Sequence, residues 1–145
     1  MNSPVRIIRE IDLGLPADEL WSLVADGDRW SEWLVDDAAV VVRPGSDGTV
    51  VDDGERRHVH VHTVRHGERV AFDWWRDDAV GGPTTVDGGE RSRVEFEIVR
   101  DGERTALRVT ETLVEATDLA AARASARWDV RLLVMHLAGA ALART

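Results

Sequence analysis

The sequence predicts an α+β domain, a curved antiparallel β-sheet laid across one long C-terminal α-helix, with two short helices after the first strand. Three observations lead there. From Ala38 to Glu115 the signal is β, in short runs rich in apolar and alternating residues that glycine- and aspartate-rich turns separate. Before that, Leu15 to Leu34 carries a helical spacing instead. A second helical pattern closes the chain from about Leu119 to Ala143, long enough to cross the whole sheet.

The elements follow in order. Val5 to Leu13, "VRIIREIDL", alternates well enough for a first strand. In "GLPADELWSLVADGDRWSEWL", Pro16 suits a helix's first turn, and Asp18 and Glu19 complement the dipole. Leu20, Trp21, Leu23 and Val24 form a short apolar face that "ADGD" ends, and a second helical piece from Arg29 to Leu34 carries Trp30 and Trp33. Strands are then expected at Ala38–Arg43, Thr49–Asp53, Arg56–Arg65, Arg69–Arg76, Arg93–Arg100 and Thr105–Glu115. The connectors "PGSDG", "DDGE", "RHGE" and "RDGE" have tight-hairpin chemistry. Asp77 to Ser92 is the one long loop, rich in glycine, and reads as a mobile lid.

Composition bounds the function. At 145 residues, 43% of them hydrophobic, the chain reads as one globular domain over residues 1–145. No apolar run is long enough to span a membrane, and the N-terminus lacks the apolar core of a signal peptide. The absence of cysteine excludes disulfides and thiolate chemistry and fits a cytoplasmic location. A net charge of −9 argues against nucleic-acid partners and against an anionic membrane surface. No nucleophile elbow, phosphate loop, dinucleotide fingerprint or metal-ligand spacing occurs, so no cofactor, no metal and no catalytic residue is assigned.

"RRHVHVHTVRH" holds four of the five histidines. His58, His60 and His62 share one face of their strand; Val59, Val61 and Thr63 share the other. With one wet face the valines point in and the histidines form a surface row, which is favoured over a metal site; in the opposite register three imidazoles would line the cavity and offer acid–base chemistry. The same alternation groups Val70, Phe72 and Trp74; Val94, Phe96 and Ile98; and Leu107, Val109, Glu111 and Leu113. Glu111 is the odd member, since an unpaired carboxylate on an apolar face would cost several kcal/mol. It is expected at a rim or paired, with an acid–base or ligand-contact role as the alternative. On the terminal helix Trp128, Leu132, Met135, Gly139 and Leu142 should face the sheet. Val130, Leu133, Val134, Leu137 and Ala141 make a second stripe, to be covered by the chain's own loops or by a homodimer contact.

The order of elements resembles a known family. "LPADELWSLVADGDRWSEWL" looks like its opening signature, "RVAFDWW" like its central strand, "TALRVTETL" like its late strand and "RWDVRLLVMHL" like its terminal helix. These stretches resemble the Hsp90-ATPase-activator-homologue (AHSA1-like) family of bacteria, in the START-like, SRPBCC helix-grip superfamily. The chain departs from the pattern at Arg127, where glycine is usual, and at Glu111, where histidine is frequent. The resemblance implies a helix-grip fold with a cavity between sheet and helix. The expected function is therefore binding of a small hydrophobic molecule by Trp33, Phe72, Trp74, Phe96, Val109, Glu111, Trp128, Leu132 and Met135. Two alternatives stand beside it: a chaperone-type module that contacts an Hsp90-like protein, and a small cyclase- or hydrolase-like enzyme using Glu111.

Overall fold

A computed structural model describes residues 5–76, 91–102, 104–113 and 118–143, with side chains of the last helix described through Leu137. Seven strands form one antiparallel sheet: β1 (Val5–Asp12), β2 (Asp37–Ala39), β3 (Asp47–Asp52), β4 (Glu55–Arg65), β5 (Arg69–Arg76), β6 (Ser92–Asp101) and β7 (Arg104–Leu113). The spatial order is β1-β7-β6-β5-β4-β3-β2, so β2 to β7 form a meander and β1 crosses over to pair with β7. Between β1 and β2 lie helix α1 (Ala17–Ala25) and a 3-10 helix over Gly27–Glu32; α2 (Asp118–Ala143) ends the chain. The expected α+β helix-grip architecture is the one observed. Residues 77–90, expected to form a lid, lie outside the described residues.

Two elements differ from expectation. The second strand is only Asp37–Ala39, not Ala38–Arg43. The chain leaves the sheet at Val40, whose carbonyl oxygen packs so close to Gly27 that a Cβ there would lie 1.9 Å from it. A side chain at position 27 would push the chain away, so glycine is required by space. In β4 the register shifts between Val61, opposite Phe72, and Thr63, opposite Ala71. This bulge moves Thr63 to the outer face and puts Val64 on the inner one, correcting the strict alternation expected there.

The core lies between the inner sheet face and the helices. Val59, Val61, Val70, Phe72, Trp74, Val94, Phe96, Leu107 and Val109 are buried there. From α1, Leu20, Leu23 and Val24 complete it. α2, 26 residues and so roughly 39 Å long, buries Ala124, Trp128, Leu132 and Met135. Its outer stripe, Val130, Leu133, Val134 and Leu137, stays exposed. Among the described residues no helix is long and apolar enough to cross a membrane.

Candidate ligand-binding pocket

Inward-facing strand positions are apolar along most of the sheet and become polar at one end. The register explains where. Val59, Trp74, Ser92 and Leu113 lie side by side across β4, β5, β6 and β7, and Phe72, Val94 and Glu111 form the next row. Arg57 and Arg76 pair in the row beyond Val59 and Trp74. Polar side chains on the inner face therefore collect near the β3–β4 turn, beneath the first turns of α2.

Glu111 sits on this floor and is 1% exposed. Oε2 accepts hydrogen bonds from Trp74 Nε1 (2.9 Å) and Ser92 Oγ (2.6 Å), and Oε1 accepts one from Trp128 Nε1 (2.9 Å). An indole N–H can only donate, so both carboxylate oxygens serve as acceptors, and the buried carboxylate is satisfied without an ion-pair contact. Of the two placements expected for Glu111, rim or paired, it takes the second, with two tryptophans and a serine as its partners. Trp74 and Trp128 lie nearly parallel, with ring centroids 6.4 Å apart.

Arginines lie over this aromatic pair. The Arg57 guanidinium sits 5.1 Å from the Trp74 ring centroid, and that of Arg131 lies 5.2 Å from Trp74 and 4.8 Å from Trp128. Such distances allow cation–π attraction. Arg131 also pairs with Asp52 in the β3–β4 turn, tying α2 to that hairpin. Burial, joined by repulsion from Arg127, holds the Arg57 guanidinium below its ordinary pKa, although Asp52, Glu111 and Glu55 pull the other way. Arg131 is held low for the same leading reason, burial, opposed by Asp52 and reinforced by Arg127.

Above this floor opens a pocket of about 490 Å³, lined by Asp52, Asp53, Glu55, Arg57, Arg76, Ser92, Glu111, Leu113, Leu119, Ala120, Arg123 and Arg127. Of the lining set expected from the sequence, only Glu111 reaches it. Trp74 and Trp128 support its floor from below. Trp33 and Phe96 are packed together in the core, with ring centroids 5.2 Å apart, and Phe72 packs 5.5 Å from Phe96. Val109, Leu132 and Met135 are likewise buried core residues. Large aromatic side chains fill the central space between sheet and helix, so the opening is displaced to the polar end. Sequence reasoning missed Arg57, Ser92, Arg123 and Arg127.

The outer sheet face carries the histidines. His60 Nδ1 lies 2.7 Å from Asp47, His62 Nε2 lies 2.9 Å from Asp73, and His58 stacks on Trp75. Arg91 and Arg93 also reach Asp73, at 2.7 and 3.1 Å. Burial alone would raise the Asp73 pKa; hydrogen bonds from His62, Arg93 and Arg91 outweigh it and hold it low. Among the described residues no three side chains are grouped to hold a metal ion.

Residues 14–137 match the family described as activator of Hsp90 ATPase homolog 1-like protein. The chain belongs to this AHSA1-like family. No curated protein matches it in sequence. Solved structures share its fold. DynU16, from the dynemicin biosynthetic locus, is 21% identical with a TM-score of 0.73, covering 94% of this chain and 46% of its own. The chain thus spans less than half of DynU16. MLL2253 from Mesorhizobium loti is 17% identical with a TM-score of 0.79, covering 92% of this chain and 95% of its own. The Aha1 dimer from Colwellia psychrerythraea is 20% identical with a TM-score of 0.71, covering 91% and 93%. At these identities the likeness establishes the AHSA1-like helix-grip fold.

Proposed function

We propose that this AHSA1-like domain binds a small molecule in the pocket between the β3–β4 end of the sheet and the first turns of α2. One observation carries the reading. A concavity of about 490 Å³ opens between the sheet end and the first turns of α2, above Glu111 and the tryptophans that donate to it. That volume is in the range of small-ligand sites. The fold's likeness to DynU16, a protein from a biosynthetic locus, fits a domain that handles small organic molecules. The hydrophobic part of a ligand has Leu113 and Leu119 to rest on; the interior tryptophans are already packed against one another. A thermal-shift screen of fatty acids, aromatic polyketides, sterol-like compounds and aromatic acids tests it. At about 100 times its Kd a ligand adds roughly 2.7 kcal/mol, a shift of several degrees. The reading fails if no compound raises Tm, or if Ala120→Trp, which fills the pocket, leaves every shift unchanged.

A second reading, a protein contact through α2, is favoured by Val130, Leu133 and Leu137, exposed at 61, 57 and 61%. A second copy of the chain is the occupant this stripe suits, because a two-fold contact needs only one self-complementary patch. Sedimentation equilibrium of the wild type and Leu133→Glu tests it. A concentration-independent monomer in both rejects it.

A further inference from the structure

Arginines in the pocket and beneath it are poorly matched to the groups around them. Arg57 and Arg131 are 8 and 5% exposed, yet Arg57 Nε and Arg131 NH1 have no hydrogen-bond partner, and neither has the buried Nε of Arg127. Buried donors in folded proteins are nearly always paired; Arg131 at least has Asp52 and two indole faces, whereas Arg57 and Arg127 line the pocket, and their two orphan donors call for an acceptor. The neighbouring acids are already engaged: Glu111 with two indoles and Ser92, Asp52 with Arg131, and Glu55 with Arg76 at 3.5 Å. Asp53, the remaining acid of the lining, is exposed in the turn. Mutual repulsion between Arg57 and Arg127 adds to the cost of burial. An anion between them would relieve both. In a chain of net charge −9 the four arginines Arg57, Arg76, Arg123 and Arg127 balance the four acids of this lining, Asp52, Asp53, Glu55 and Glu111, so the opening is locally neutral.

Resting on the reading of this pocket as a ligand site, we propose that its ligand is a small organic oxyanion. The carboxylate or phosphate monoester sits between Arg57 and Arg127, and the apolar remainder lies against Leu113 and Leu119. Guanidinium forks match both headgroups with paired hydrogen bonds, and a partly buried site strengthens each. Arg69 provides the contrast. Its Nε is also unpaired, but the smaller pocket beside it, about 250 Å³, offers that one orphan donor alone, since Arg65 pairs with Glu68.

Calorimetric titration of the full chain with benzoate, phenyl phosphate and the neutral benzyl alcohol tests this. At least one of the two anions is expected to bind one-to-one, with affinity that falls as NaCl is raised, and benzyl alcohol to bind roughly tenfold more weakly or less. The stronger anion distinguishes carboxylate from phosphate recognition. Arg57→Met and Arg127→Met should each weaken the anion roughly tenfold or more, while Arg69→Met should not. Without ligand, Arg57→Met should melt no lower than wild type, because it removes a buried charge lacking a hydrogen-bonded acid. Should Arg57→Met fail to fold, Arg127→Met carries the test. Benzyl alcohol binding as tightly as the anions overturns the oxyanion class and leaves the pocket reading standing. Anion binding that survives both pocket substitutions overturns the site. If neither anion binds while a neutral compound gives an Ala120→Trp-sensitive thermal shift, the oxyanion inference falls alone; if nothing binds, both readings fall.

Discussion

Replacing Glu111 with glutamine is nearly isosteric, but it removes the second acceptor from a site built around two. Trp74 and Ser92 donate to one oxygen and Trp128 to the other. In Glu111→Gln the amide oxygen can serve Trp74 and Ser92, which turns the NH2 group toward the Trp128 N–H. Two donors then face each other in a site 1% exposed. The stranded indole N–H costs about 1–3 kcal/mol, and loss of charge from the surviving bonds takes roughly 1 kcal/mol each. Relief of a buried charge offsets part of this. The net expectation is a loss of about 2–4 kcal/mol. For a domain of this size each kcal/mol moves Tm by roughly 2–4 °C, giving a fall of roughly 5–15 °C. Urea unfolding followed by tryptophan fluorescence measures it directly. Trp128→Phe supplies the control: in that background the same substitution should cost less, because the donor it strands is gone. A Glu111→Gln protein within about 0.5 kcal/mol of wild type, the scatter of neutral surface changes, would refute the structural role assigned to the carboxylate.

Other expectations follow the same logic. Asp52→Ala leaves Arg131, 6% exposed at its side chain, without its acid; it should cost about 3 kcal/mol in denaturant unfolding, with Asp52→Ala/Arg131→Met recovering much of that. Asp73 has a lowered pKa when folded, so its contribution to stability is present above the unfolded value near ~3.9 and lost as pH falls through the folded one. Accordingly Asp73→Asn should be less stable than wild type at neutral pH, and the gap should narrow on acidification in Tm measured from pH 7 to pH 2. Gly27→Ala places its Cβ 1.9 Å from the Val40 carbonyl oxygen, a backbone atom; calorimetric melting should reveal a loss of about 1–3 kcal/mol.

Much of this was legible in the sequence because period and burial agree. The valines of β4, the Phe72–Trp74 face of β5 and the Trp128–Leu132–Met135 stripe all follow from spacing alone. Glu111 was visible as a polar residue at an apolar parity. The same test, carried further, finds Arg57, in phase with Val59 and Val61, and Ser92, in phase with Val94 and Phe96. Arg123, Arg127 and Arg131 recur at i, i+4 and i+8 and so share one helix face. What periodicity cannot supply is volume. Whether Trp33, Phe72, Phe96 and Trp128 enclose a cavity or fill it depends on how their rings pack, as with the 4.9 Å approach of Trp30 to Phe72. Nor can it join Asp52 to Arg131, 79 residues apart, or foresee the bulge that turns Thr63 outward.

The pairing of β1 with β7 has a kinetic side. Val5 lies opposite Leu113 and Asp12 opposite Ala106, so β1, made before β2 to β7, must wait for β7. Roughly 100 intervening residues at 5–20 residues per second mean a delay of about 5–20 s, far longer than a hairpin needs to form. During that interval Val5, Ile7 and Ile11 have no sheet to join, while β2 to β6 can zip as successive hairpins. Closing so long a loop makes docking of β1 a late, slow event in refolding as well. Nascent chains stalled before Ala106 should therefore be the form of this protein most easily captured by chaperones and most prone to aggregate.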